Sequence, residues 1–172
     1  VYDAASEPDS PLVDPDTGQL ALFTIPRTWE QHELRKRALE HWCRLTHGFI
    51  GRGPDHVSGL LAGFASNPAV FDTDRHQLGA NVVAFHRYAA ARGLWITNSI
   101  VPPQHNPTDP TSRVRPVQLV EERPEGIVVD GAQMLGTGAA VADEVFVTSV
   151  RPLSAGEEAT ALSFIIPIAT PG

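Results

Sequence analysis

The sequence predicts an α+β fold with its helices first and its strands afterwards. Three observations carry that reading. Apolar residues recur every three to four positions between Thr28 and Gly93, and the period falls to about two after Gly93. The two patterns occupy successive stretches and do not alternate, which argues for segregated α and β parts and against a doubly wound sheet. With 172 residues, 42% of them hydrophobic, the chain can bury one sizeable core or two small ones.

Residues 1–26 are rich in Pro, Asp, Ser and Gly around one apolar run, Leu20 to Ile25, and read as an irregular arm. Thr28-Trp29-Glu30-Gln31 fits a capping box, and Leu34, Ala38, Trp42, Leu45 and Phe49 follow as one stripe of a long helix. The Gly48 to Asp55 stretch breaks it, with Pro54 suited to a first helical position and Asp55 to a helix N-terminus. Val57, Leu60, Leu61 and Phe64 then mark a second helix, ended by Asn67-Pro68. A third runs from about Thr73, with Leu78, Val82, Phe85 and Ala89 on one face, to Gly93 as its C-terminal glycine. Strands are expected at 94–100, 114–121, 127–129, 133–135, 145–150 and 161–168, with a loop at 101–110 and a hairpin turn at Asp130-Gly131.

Composition excludes several functions. Thirteen Lys and Arg against 20 Asp and Glu give a net charge of −7, the wrong sign for a phosphate-rich nucleic-acid partner. No apolar stretch approaches the roughly 20 residues of a membrane span, and nothing at the start resembles a secretory signal. Cys43 is the single cysteine, so there is no intramolecular disulfide and no thiolate set for zinc or an iron–sulfur cluster. A cytoplasmic home is the expectation. The chain starts at Val1 and stops at Gly172 directly after a strand-like run, so both ends read as cuts through something larger.

Seven histidines invite a metal reading, but no pair has the i, i+4 spacing that puts two ring nitrogens on one helix face. His32, His41, His47, His76 and His86 read as surface or capping residues. There is no Gly-x-Ser-x-Gly elbow, and Gly136-Thr137-Gly138 is too short for a phosphate-cradling loop. The segment from Gly51 to His56 stands apart. A helix N-terminus offers unpaired N–H groups and partial positive charge, and Arg52 adds a full one, so an anionic group would bind there. His56, four residues after Arg52, can face the same pocket. The other reading of the same residues is a capped interhelix turn with Arg52 and His56 in solvent.

Four blocks then form an ordered series: Gly51-Arg52-Gly53-Pro54-Asp55-His56-Val57, the stretch from Gly126 through Gly131-Ala132-Gln133-Met134-Leu135-Gly136-Thr137-Gly138, Ala142-Asp143-Glu144-Val145, and Phe164-Ile165-Ile166-Pro167. The series resembles the oxygenase components of the 4-hydroxyphenylacetate 3-monooxygenase family, two-component flavin-dependent phenol hydroxylases, over nearly the whole chain. The resemblance implies an acyl-CoA-dehydrogenase-like architecture. Residues 1–93 would be the end of an N-terminal helical domain, and residues 94–172 part of a middle β-barrel domain. It also implies ortho-hydroxylation of a phenol by a flavin hydroperoxide, formed from O₂ and FADH2 that a separate flavin reductase supplies. The expected assembly is a homo-oligomer, a dimer of dimers.

Carried over by motif, Arg52 holds the phenol oxygen as an anion, and His56 takes the place of a substrate-contacting Tyr, where it could act as base. Asn98 falls where the family has a His that touches substrate and flavin, and it can hydrogen-bond without taking a proton. Ser99, Ile100, Gln104 and Thr137 are the further cofactor-binding positions. Pro103-Gln104 keeps the family's Pro-Gln pair, whereas the basic residue often found three positions later is Pro107 here. These departures point to a phenol other than 4-hydroxyphenylacetate. Two rivals remain: dehydrogenation of an acyl thioester on the same fold, and a non-catalytic truncated or degenerate subunit, motivated by Asn98 and Pro107. Cys43 alone separates the chain from the superfamily's iron–sulfur dehydratases.

Overall fold

The computed structural model describes residues 2–49, 53, 55–104, 108, 109, 111, 114–134, 136–150 and 152–171. Val1, Gly51, Arg52, Pro54, Pro107 and Leu135, which figure in the reading above, lie outside the described residues. The chain divides into two compact units, Val1–Trp95 and Ile96–Gly172.

The first unit is helical: α1 (Tyr2–Ala5), α2 (Trp29–Leu45), α3 (Asp55–Ser66) and α4 (Leu78–Arg92). The arm before α2 is less peripheral than its composition suggests. Its apolar run forms a 3₁₀ turn, Ala21–Phe23, and Leu12, Leu20, Ala21, Leu22 and Phe23 are all buried. This turn packs against α2, α3 and α4, so the arm supplies the centre of the helical core. Val13 and Leu20 close it through an antiparallel bridge. His86 of α4 secures it further, its Nε2 lying 2.8 Å from the Phe23 carbonyl oxygen.

Helix α2 begins where the capping box places it. The Thr28 hydroxyl accepts from the Gln31 N–H at 3.4 Å, while Gln31 Oε1 reaches past the cap and accepts from the Arg27 N–H at 2.6 Å. The expected stripe is shorter than its spacing suggests. Ala38 and Trp42 are buried, but Leu45 ends the helix half exposed, and Phe49 lies beyond it, 91% exposed. Helix α3 buries Val57, Ser58, Leu61, Ala62 and Ala65. It stops before Asn67, and Phe64 meets Phe71 of the following 3₁₀ turn edge to face.

Helix α4 starts at Leu78, five residues later than expected at Thr73. The Thr73 hydroxyl does not cap it, because it accepts from the Arg75 and His76 N–H groups in a local turn. Asp72 does the capping at a distance, accepting from the Gly79 N–H at 2.9 Å. Gly93, at φ 60°, adopts the left-handed conformation that ends the helix, and its N–H donates to the Ala89 and Ala90 carbonyls.

The second unit holds five strands, β1 (Ile96–Ser99), β2 (Gln118–Arg123), β3 (Gly126–Asp130), β4 (Glu144–Thr148) and β5 (Ser163–Pro167). They form a three-stranded sheet of order β1-β4-β5 and a separate β2-β3 hairpin. Strands β1 and β4 run parallel, with Asn98 opposite Phe146, and β4 and β5 run antiparallel. The hairpin turn falls at Pro124-Glu125, not at Asp130-Gly131. Proline fixes φ for the first central position of a turn, and that preference outweighs the Asp-Gly signal. Residues 133 and 134 form no strand.

Candidate functional site

In the first unit the one described candidate residue, His56, stands at the start of α3. Asp55 is the first helical residue, Gly53 before it is buried, and the His56 N–H donates to the Gly53 carbonyl at 3.3 Å. The His56 side chain is exposed on this first turn. Arg52, the cation in the phenol reading, lies outside the described residues.

In the second unit they gather on β1 and on the segment that follows β3. All four β1 residues are buried, and three are polar: Thr97, Asn98 and Ser99. Burial of this kind demands partners. The Thr97 hydroxyl donates to the Thr137 carbonyl at 2.6 Å, and the Ser99 hydroxyl donates to the Met134 carbonyl. Residues two apart share a strand face, so one face of β1 holds two points of the 134–137 segment. Just beyond β1, the Met134 N–H donates to the Val101 carbonyl at 2.8 Å. Asn98, between Thr97 and Ser99, takes the opposite face of the strand.

Gly136 sets how closely the two segments approach. A Cβ there would lie 2.3 Å from the Asn98 carbonyl oxygen and 2.9 Å from Thr97 Oγ1, so any other residue would push the segment off β1. Thr137 is the exposed product of this arrangement. Its carbonyl is pinned, and no hydrogen bond engages its hydroxyl among the described residues. The hydrogen bond fixes the backbone at Thr137 and leaves its exposed hydroxyl able to donate or accept.

The other predicted positions are placed as follows. Ser99 spends its donor on Met134, Ile100 is half-buried just after β1, and Gln104 is exposed in the loop beyond. Asn98 and Ser99, 6% and 7% exposed, are the buried ones among the described site residues. His56 belongs to the first unit, and Asn98, Ser99, Ile100, Gln104 and Thr137 to the second. Sequence reasoning did not single out Thr97 or Gly136. Their signal was present in a run of three polar residues inside a strand, and in a glycine directly before the candidate threonine.

Other features do not compete with this site. Among the described residues no three His, Cys, Asp or Glu side chains are grouped to hold a metal ion. His41 of α2 is half-buried, and its Nε2 has no hydrogen-bond partner among the described residues. A small cleft of about 20 Å³ in the second unit is lined by Pro102, Pro116, Gln133, Val147, Thr148 and Leu162 among others, and includes none of the predicted site residues. No helix among the described residues is long and apolar enough to cross a membrane.

The chain matches, over residues 1–172, the family described as 4-hydroxyphenylacetate 3-hydroxylase N terminal. It is 30% identical to the 4-hydroxyphenylacetate 3-monooxygenase oxygenase component of Geobacillus sp. (strain PA-9), an alignment covering all of this chain and 37% of that protein. Among solved structures it is similar to the oxygenase component of 4-hydroxyphenylacetate 3-monooxygenase complexed with FAD and 4-hydroxyphenylacetate. That match has a TM-score of 0.85 at 32% identity, over 99% of this chain and 37% of that one. An oxygen-tolerant archaeal 4-hydroxybutyryl-CoA dehydratase from N. maritimus shares the fold, with a TM-score of 0.76 at 16% identity over 97% of this chain and 35% of that one. The chain thus spans a little over a third of the length of the relatives it matches.

Proposed function

The chain belongs to the 4-hydroxyphenylacetate 3-hydroxylase family, and from that premise we propose that the whole protein is the oxygenase component of a two-component, reduced-FAD-dependent aromatic monooxygenase. Its reaction is the ortho-hydroxylation of a phenol. The observation that carries the reading is the family match along the entire chain, with Thr137 exposed on a segment whose backbone Thr97 and Gly136 hold against β1. The dehydratase shares the fold at 16% identity, so fold by itself does not select the reaction.

Bound reduced FAD supplies the oxygen activation. Thr137 would offer its hydroxyl to the flavin, and Asn98, Ser99, Ile100 and Gln104, on β1 and in the stretch after it, would supply further cofactor contacts. Arg52 holds the phenol oxygen as an anion, which makes the ring electron-rich at the position to be hydroxylated. His56 would hydrogen-bond the same oxygen and act as the base that takes its proton. Asn98 can accept or donate a hydrogen bond but cannot carry the proton, so proton handling rests with His56. This division of roles favours a phenol other than 4-hydroxyphenylacetate.

Family membership further supports a separate flavin reductase as partner and a homo-oligomer arranged as a dimer of dimers. Residues 1–93 then close an N-terminal helical domain, and residues 94–172 open a middle β domain.

The test is Arg52→Ala in the whole enzyme. Loss of the cation that pairs with the phenolate should cost about 2–4 kcal/mol of transition-state stabilisation, a drop of roughly 30- to 1000-fold in kcat/KM for the phenol. FAD affinity should be retained. An unchanged rate would remove the phenolate role from Arg52.

A further inference from the structure

We propose that Arg35 is a positioning residue that fixes the first turn of α3, and through it the side chains that meet the phenol. The proposal rests on the phenol-side reading of Arg52 and His56 given above. Arg35 lies in α2, and its guanidinium addresses two other segments. Nη1 donates to the carbonyls of Leu22, at 2.6 Å, and of Thr24, at 2.8 Å, at the end of the N-terminal arm. Nη2 faces α3, where a Cβ added to Gly59 would lie 3.3 Å from it. Asp55 stands one turn before Gly59 on the same helical face. Its negative charge acts on Arg35 and opposes the effect of burial, which pushes the guanidinium below its ordinary pKa.

The arm is anchored in turn. Asp14, only 4% exposed, accepts from the Thr24 hydroxyl at 2.8 Å and from the Asp16 N–H at 2.9 Å. Polar contacts therefore run from Asp14 through Thr24 to Arg35, and the charge of Asp55 closes the series. Burying a cation costs free energy that an apolar residue of similar volume would not incur. What the guanidinium adds is direction, since one of its nitrogens ties two arm carbonyls while the other is set against Gly59 of α3, within reach of the Asp55 charge. Asp55 immediately precedes His56 and follows Arg52 by three residues. A displacement of this turn by about 1 Å is enough to cost on the order of 100-fold when the misplaced groups orient a substrate.

The probe is 4-nitrophenol titrated into the whole enzyme, because its phenolate has its own absorption band and reports both binding and ionisation. Arg35→Gln should weaken phenol binding about tenfold and lower the bound phenolate fraction, with FAD affinity within about twofold of wild type. Asp55→Asn leaves both carbonyl bonds of Arg35 in place and should weaken phenol binding about threefold with the fold intact. The double variant should be no worse than Arg35→Gln alone, as for two groups acting through one contact. A folded single variant that binds 4-nitrophenol like wild type overturns the proposal, as do additive losses in the double variant or equal losses of phenol and FAD affinity. If Arg35→Gln fails to fold, Asp55→Asn decides the matter by itself. Phenol binding lost in Arg52→Ala but kept in Arg35→Gln and Asp55→Asn refutes only the positioning role. A wild-type enzyme that binds no phenol of a broad panel, 4-nitrophenol included, or an Arg52→Ala enzyme that binds phenols unchanged, refutes the phenol-side reading and the positioning role together.

Discussion

Thr97, Asn98 and Ser99 are three polar side chains in a row on a buried four-residue strand. A strand interior of this composition is costly unless each group is satisfied, and Thr97 and Ser99 are satisfied by carbonyls 40 and 35 residues further along. Thr97→Val keeps the shape and removes the hydroxyl, leaving the Thr137 carbonyl without its donor. The expected loss is about 1–2 kcal/mol of stability, measured by urea denaturation of the whole protein, with a larger proportional effect on FAD affinity than on phenol affinity. The role of Thr97 was not legible in the sequence. Alternation and β-branching identify a strand, but they do not say which distant carbonyl a hydroxyl will find. His86 shows the same limit: it reads as a surface or capping side chain, yet its ring nitrogen bonds the Phe23 carbonyl across 63 residues.

Among the elements, those announced by strong local chemistry were legible and those decided by tertiary contact were not. Thr28 and Gly93 cap α2 and α4 as their residue types require. The start of α4 was misread because Thr73 closes a turn on His76 before any helix begins. The arm was read as irregular, yet Leu12 and residues 20–23 sit at the middle of the helical core. Its composition is that of a loop, and only three helices converging on one short run make it core. The 133–135 strand failed for a related reason, since residues 133 and 134 are held by contacts to β1, β4 and the loop after β1 and join no ladder. Gly136 is where that docking is tightest. Gly136→Ala forces a methyl group against the Asn98 carbonyl and should cost about 3 kcal/mol, read as a fall in melting temperature. A variant as stable as wild type would show that the segment can lift from β1 at no cost.

For the whole molecule, the order of helices then strands gave the fold class, and the two compact units follow that order. The functional reading is legible only through the ordered motifs, because among the described residues no catalytic constellation is complete. Arg52 and His56 belong to one unit's sequence and Thr137 to the other's, and the chain covers 37% of the length of its Geobacillus relative. The family match along all 172 residues supports the reading of a flavin-dependent oxygenase. Its central claim is that the whole protein transfers an oxygen atom from O₂ to a phenol at the expense of reduced FAD. The most direct measurement supplies the whole protein with chemically reduced FAD, isotopically labelled O₂ and a panel of phenols, and follows products by mass spectrometry. The account predicts an ortho-hydroxylated product carrying label from O₂ with at least one phenol. Oxidation of the flavin with hydrogen peroxide as the only oxygen product, for every phenol in the panel, would contradict it.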